Sequence, residues 1–235
     1  MKKFLTFLVL FAAFTHLAAA KSALVIVDMQ KCFVPGADDL VHSLPVAGGH
    51  DIVAGINQLQ KKFNLVVATK DWHPKNHGSF ASQHSGKNPF EMTILAGLEQ
   101  MLWPDHCTQG SVGAEFVAAL DTEKIAHITR KGTHSDVDSY SGFMDNNKVS
   151  KTDLDSFLKS QGVDSIFVVG LAADYCVKAT AIDAAHLNYK TFFVQDLTKA
   201  VDPSAANMKN IYAELKRHKV EIISSQELLN NKNNL

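Results

Sequence analysis

Five short runs of nearly uninterrupted apolar and β-branched residues constrain this chain more than any other feature. They are Ser22–Asp28, Asn64–Lys70, Ile125–Arg130, Ser165–Gly170 and Lys190–Asp196, and Val220–Ser224 is a weaker sixth. Runs of this length without a polar alternation are the mark of strands buried on both faces. Helical stretches lie between them, at about 46–62, 111–120, 152–161, 176–188 and 203–217. Thr152-x-x-Asp155 reads as a capping box and Pro203 suits a first helical turn. The alternation predicts an α/β fold: a doubly wound, mostly parallel six-stranded sheet with helices on both faces. The segment 72–110 is rich in Pro, Gly, His and Asn, and so long a connection in a compact domain is usually functional.

The first twenty residues are expected to stand outside this fold. Lys2 and Lys3 precede an apolar run from Phe4 to Phe14, and Ala18–Ala20 offers a small-residue cleavage site before Lys21. That is the layout of a secretory signal peptide, and the run is short for a membrane span. The expected organisation is a signal peptide over 1–20 and one domain over 21–235, exported, with the periplasm as the expected compartment. No stable membrane association is expected after cleavage. The whole chain carries 23 Lys and Arg against 24 Asp and Glu. No basic excess points to nucleic acid, and a small-molecule partner is expected instead. A monomer or small homo-oligomer is expected. Three cysteines are too few for a disulfide scaffold.

In doubly wound sheets ligands bind beyond the carboxyl ends of the strands. Those ends carry Asp28, then Asp71 and His73, then Lys131, then Leu171-Ala172-Ala173-Asp174-Tyr175-Cys176. Cys176 opens a helix, with Asp174 as a possible cap, and a helix N-terminus stabilises a thiolate. A lone Cys is as often a packing residue, so position alone leaves the two readings even. Asp28 could take the thiol proton and return it to a leaving amine, or merely cap a turn. Lys131 alone would read as a solvated lysine; beside a thiol and a carboxylate it would stabilise both anions. Asp71-x-His73 places two donors on one face of an extended segment, and His106 offers a third. One carboxylate and two imidazoles suit one divalent metal ion: zinc, iron or manganese. His77 and His84 lie in the same segment as possible supporting or substituting ligands.

Longer strings make the case specific. Val27-Asp28-Met29-Gln30, Lys70-Asp71-Trp72-His73-Pro74, Asn76-His77-Gly78-Ser79-Phe80-Ala81-Ser82, Trp103-Pro104-Asp105-His106-Cys107, Asp138-Ser139-Tyr140-Ser141-Gly142-Phe143 and Gly170-Leu171-Ala172-Ala173-Asp174-Tyr175-Cys176-Val177 recur together. The set resembles the nicotinamidase/pyrazinamidase group of isochorismatase-like cysteine hydrolases, over nearly all of residues 22–225. The resemblance implies a catalytic triad of Asp28, Lys131 and Cys176, and metal ligands Asp71, His73 and His106. It implies a cis peptide at Leu171-Ala172 and an oxyanion hole from the N–H groups of Ala172 and Cys176. It places Phe33 and Trp103 against the substrate ring, with Tyr140 and Leu171 as further substrate contacts. It also implies a sheet order of 3-2-1-4-5-6 and hydrolysis of nicotinamide, with pyrazinamide as a second substrate. Two features depart from the group: Cys32 stands where many relatives have an acidic residue, and a leader is unusual.

Two other readings stay open at this level. One is another small-amide or carbamoyl hydrolase of the same superfamily. The other is an exported protein that binds pyridine ligands without turnover. A thiol redox protein is disfavoured because no C-x-x-C is present. Cys32 and Cys107 could pair in an oxidising compartment, but two free thiols are the expectation, since sequence does not bring their Cα atoms within reach.

Overall fold

The computed structural model describes residues 21–36 and 43–230. The leader expected over 1–20 and the frayed end expected over 230–235 lie outside these residues, except Asn230. In chain order the elements are β1 (Lys21–Val27), α1 (Val53–Gln60), β2 (Val66–Asp71), β3 (Met92–Leu95), β4 (Leu98–Met101), β5 (Ile125–Lys131) and α2 (Leu154–Ser160). They continue as β6 (Val163–Leu171), α3 (Cys176–His186), β7 (Lys190–Lys199), α4 (Ala205–Arg217), β8 (Glu221–Ile223) and α5 (Ser225–Asn230).

All six apolar runs form strands of one six-stranded sheet, ordered β5-β2-β1-β6-β7-β8. Every pairing in it is parallel. Counting only these six strands, the order is the expected 3-2-1-4-5-6. Successive side chains of a strand alternate between faces. On β1, Leu24 and Ile26 therefore join α1 residues Val53, Ile56 and Leu59 in one core. Ala23, Val25 and Val27 join Leu154 and Leu158 of α2, Val177 and Ala181 of α3, and Leu215 of α4 in the other. Burial on both faces is why β1, β2 and β6 carry long apolar runs, whereas the edge strand β5 exposes Ala126, Ile128 and Arg130.

The chain reverses direction across the sheet between β1 and β6, which are neighbours with Val27 opposite Gly170. At this switch point the two backbones nearly touch. Gly170 has φ +109°, and a Cβ there would come 2.1 Å from the Val27 carbonyl oxygen.

Several local expectations are corrected. Residues 111–120 form no helix beyond a single tight turn, Val112–Ala114. Their backbone is taken up by the segment after β1: Lys31 donates to Glu115, Cys32 to Gly113, and Val117 to Met29. The segment 72–110 contains an antiparallel hairpin, β3–β4, that periodicity did not announce. Thr152 accepts the Leu154 N–H, but Asp155 accepts from the Tyr189 hydroxyl at 2.9 Å instead of completing a capping box. Ser224 and Glu227 do form a reciprocal box at α5, which was not expected. Pro203 lies just before Ser204, whose hydroxyl caps α4 by accepting the Asn207 N–H. Among the described residues no helix is long and apolar enough to cross a membrane.

The close approach at the switch point gives a direct test. Gly170→Ala should destabilise the protein by about 2–4 kcal/mol, since the new methyl forces the two central strands apart. Urea unfolding compared with the parent measures it, and an unchanged midpoint would contradict the contact.

Candidate active site

Register builds the site. Asp71 ends β2 directly opposite Lys131 at the end of β5. Asp28 follows β1 in the left-handed region, φ 49°, a conformation Asp tolerates better than most residues. Cys176 is the first residue of α3, five positions beyond the end of β6. The four side chains meet at the switch point, and all are buried.

Lys131 is the hub, at 1 % exposure. Its Nζ lies 2.8 Å from Asp28 Oδ2 and also contacts Asp71 Oδ1. It donates to Cys176 Sγ at 3.2 Å and to the Ser139 carbonyl at 3.1 Å. Burial alone would strip its proton, but Asp28 and Asp71 outweigh that and hold the ammonium well above the usual lysine range. Burial would raise Asp71 as well, yet Lys131 and His73 hold its carboxyl well below the usual range. Asp28 is raised, because its desolvation exceeds the help from Lys131. Asp28 Oδ1 accepts from the Thr69 hydroxyl at 2.6 Å, whereas Oδ2 faces Lys131 without a well-directed hydrogen bond. That oxygen is the one free to take a proton. Burial pushes the Cys176 thiol well up despite Lys131, and Asp71 and Asp28 add to it.

Asp174 does not cap α3. Its carboxylate accepts the Val201 and Asp202 N–H groups at 3.0 and 2.9 Å, and so holds the loop after β7. The Leu171-Ala172 peptide is cis, as the resemblance implied. The N–H groups of Ala173, Tyr175 and Val177 find backbone acceptors. Among the described residues those of Ala172, Asp174 and Cys176 do not, and of these three Ala172 and Cys176 line the pocket, where their N–H groups could serve an oxyanion.

Asp71, His73 and His106 present ligand atoms that all lie within 4.8 Å of one another. His73 Nδ1 is 2.9 Å from the Gly132 carbonyl, and His106 Nδ1 is 2.8 Å from the Pro104 carbonyl. A carbonyl only accepts, so both Nδ1 atoms carry the proton. Both Nε2 atoms then face Asp71 Oδ2, at 3.5 and 3.7 Å. Three donors converging in this way fit a divalent cation, which binds the neutral imidazoles in place of protons on Nε2. Gly132 makes room for this: a Cβ there would sit 2.4 Å from the His73 ring. The His77 ring lies 4.2 Å from His73, tilted by 44°, and bonds Ser79, and its buried Nε2 has no partner. Burial and His73 push His77 down to about 4. His84 bonds the Gly78 carbonyl and takes no part in the donor set.

One pocket opens onto both halves. Asp71, His73, His106, Ala172 and Cys176 line it, with Phe33, Trp103 and Tyr140 as walls. Leu171, expected at the substrate, does not line it; its side chain is fully buried in the core with a methyl against Gly49. Tyr175, Asp138, Leu44, Val46 and Val201 complete the lining and were not foreseen as pocket residues. Gln30 was also missed: it clamps Asp71 by taking the Asp71 N–H and donating to its carbonyl, both at 2.8 Å. Its only signal was a place beside Asp28 in a shared string. Gln100, on the unforeseen hairpin, donates to Asp138 at 2.9 Å and to Tyr140 at 3.0 Å.

Cys32 and Cys107 form a disulfide, with Cα atoms 5.5 Å apart, so the expectation of two free thiols is corrected. Cys176 is free.

A buried Asp28–Lys131–Cys176 cluster at the switch-point cleft of a doubly wound parallel sheet lies where proteins of this architecture bind small molecules. The chain belongs to the isochorismatase family, whose Isochorismatase domain matches residues 22–227. It is 42% identical over 211 residues to a nicotinamidase of Acinetobacter baylyi, covering 90% of this chain and 96% of that one. Among solved structures it resembles an Acinetobacter baumanii nicotinamidase and pyrazinamidase, with TM-score 0.84, 41% identity and coverage of 90% and 99%. It also resembles a Pyrococcus horikoshii pyrazinamidase solved in complex with zinc, with TM-score 0.69, 34% identity and coverage of 87% and 99%.

Removing the hub ammonium should be felt first in stability. Lys131→Met should cost about 3–5 kcal/mol, because it leaves two buried carboxylates unpaired. Asp28→Asn should cost less, because Asp71 still balances the ammonium. Urea titrations of both variants test the order, and the reverse order would contradict Lys131 as the hub.

Proposed function

We infer that the chain is a nicotinamidase that hydrolyses nicotinamide to nicotinate and ammonia, with pyrazinamide as a second substrate. The observation that carries this reading is the shared pocket: Cys176, with Lys131 and Asp28 behind it, and the Asp71–His73–His106 donors open onto one cavity walled by aromatic rings. The nicotinamidases it resembles over nearly their full length support it.

The substrate ring lies between Phe33 and Trp103, which puts the carboxamide carbon near Cys176. Asp28 Oδ2 takes the thiol proton as the sulfur bonds to that carbon. Lys131 stays an ammonium and compensates the negative charge passed between them. The N–H groups of Ala172 and Cys176 receive the oxyanion, where losing one donor costs about 3 kcal/mol. Asp28 returns the proton to nitrogen, the C–N bond breaks, and ammonia leaves a thioester on Cys176. Asp28 then takes a proton from water, which cleaves the thioester to the acid and restores the thiol. Asp71, His73 and His106 would hold the metal, a Lewis acid that binds the lone pair of a ring nitrogen and orients the ring. Zinc, iron and manganese all suit these donors, and the zinc-bound relative from Pyrococcus favours zinc.

We also propose that the protein is exported, with residues 1–20 removed. The leader layout supports this, as does the Cys32–Cys107 disulfide, since such bonds persist in oxidising compartments. N-terminal sequencing of protein recovered outside the cytoplasm should begin at Lys21; an intact leader would contradict export by this route.

The activity is tested by ammonia release from nicotinamide, with the parent beside Cys176→Ala. The parent should turn over and the variant should show none while keeping its circular dichroism spectrum. Turnover by Cys176→Ala would overturn the thioester route. Tight nicotinamide binding without ammonia from metal-loaded parent would overturn the enzyme reading in favour of a binding protein.

A further inference from the structure

We propose that the Cys32–Cys107 disulfide positions the substrate-facing wall against the metal-capable histidines. It rests on the nicotinamidase reading only for the identity of the substrate. Cys32 immediately precedes Phe33, and Cys107 immediately follows His106. The bond therefore spans two loops at the residues adjoining a ring wall and a metal-capable imidazole. Those two rings stand 5.4 Å apart. Both cysteines are buried, at 0 % and 2 % exposure.

Each end of the cross-link sits in a knot of backbone hydrogen bonds. The Cys32 carbonyl accepts the Leu44 N–H at 3.1 Å, and the Phe33 carbonyl accepts the Val46 N–H at 2.8 Å. Phe33, Leu44 and Val46 all line the pocket. At the other end the Cys107 carbonyl accepts the His73 N–H at 3.2 Å. The Cys107 backbone is left-handed, φ 43°, a conformation rare for a residue with a side chain. One covalent bond thus joins three wall residues to two of the three metal-capable donors. Asp28, Lys131 and Cys176 depend on β1, β5 and α3, none of which carries the cross-link. The bond should govern ligand and metal binding while leaving the reacting groups in place.

The test uses the purified protein and Cys32→Ala/Cys107→Ala, both freed of metal and titrated with Co2+ by calorimetry at a temperature where both are folded. Steady-state kinetics with nicotinamide follow. The double variant should bind Co2+ about tenfold more weakly, the scale seen when groups that orient metal ligands are lost. Its KM should rise several-fold while kcat stays within about twofold, as expected when binding common to ground and transition states is removed. A phosphine reductant supplies two electrons and becomes the phosphine oxide; water supplies the oxygen and the two protons of the new thiols. Reduced parent should reproduce the variant's values, and the reductant should not move the variant, which separates this effect from any on Cys176. If the variant does not fold, reduced parent decides. A lower melting temperature with unchanged Co2+ affinity and KM would make the bond merely structural and overturn the proposal. If the parent releases no ammonia, the nicotinamidase reading falls, while Co2+ affinity still decides the positioning role.

Discussion

A lysine ammonium buried at the centre of the sheet rim is the constraint on which the site depends. Transferring such a charge from water costs several kcal/mol even after relaxation, and only close opposite charges offset it. Asp28 and Asp71 supply them, from the ends of β1 and β2, while Lys131 ends β5. The three strands are adjacent in the sheet, so their register holds the charges together. The shared ammonium splits the two carboxyls: Asp71 is held low by Lys131 and His73, while the desolvation of Asp28 outweighs the same help and raises it.

Asp71 links this charge cluster to the metal-capable donors. One oxygen contacts Lys131 and the other faces the two histidine Nε2 atoms. Gln30 fixes its backbone by bonding both its N–H and its carbonyl. Substrate orientation and nucleophile electrostatics are thus anchored on a single residue.

How much of this was legible in the sequence follows from what fixes each residue. The sheet was readable because two-sided burial leaves uninterrupted apolar runs, and its rim residues were readable because they follow those runs directly. The helix expected over 111–120 failed because its backbone groups bond across to residues 29–32, a long-range choice that local propensity does not encode. Hairpin β3–β4 was hidden because its pattern is inverted: Met92, Ile94 and Leu98 are exposed while Gln100 is buried. The role of Gln30 was hidden although the residue stood in a shared string, because its partner is a backbone 41 positions away. Leu171 was misplaced because adjacency to a cis peptide says nothing about which way a side chain points.

The disulfide completes the division of labour. The sheet fixes residues at strand ends, where parallel pairing determines their height and facing. Phe33 and His106 come from loops, and no ladder sets their separation. Closing a chain segment across a sequence separation of 75 residues restricts the unfolded ensemble, worth about 4 kcal/mol in the loop-entropy account. A stabilising bond of that size could sit anywhere that two loops meet. Here it joins the residue before a pocket wall to the residue after a metal-capable imidazole. It therefore fixes the one distance across the pocket that strand register leaves free.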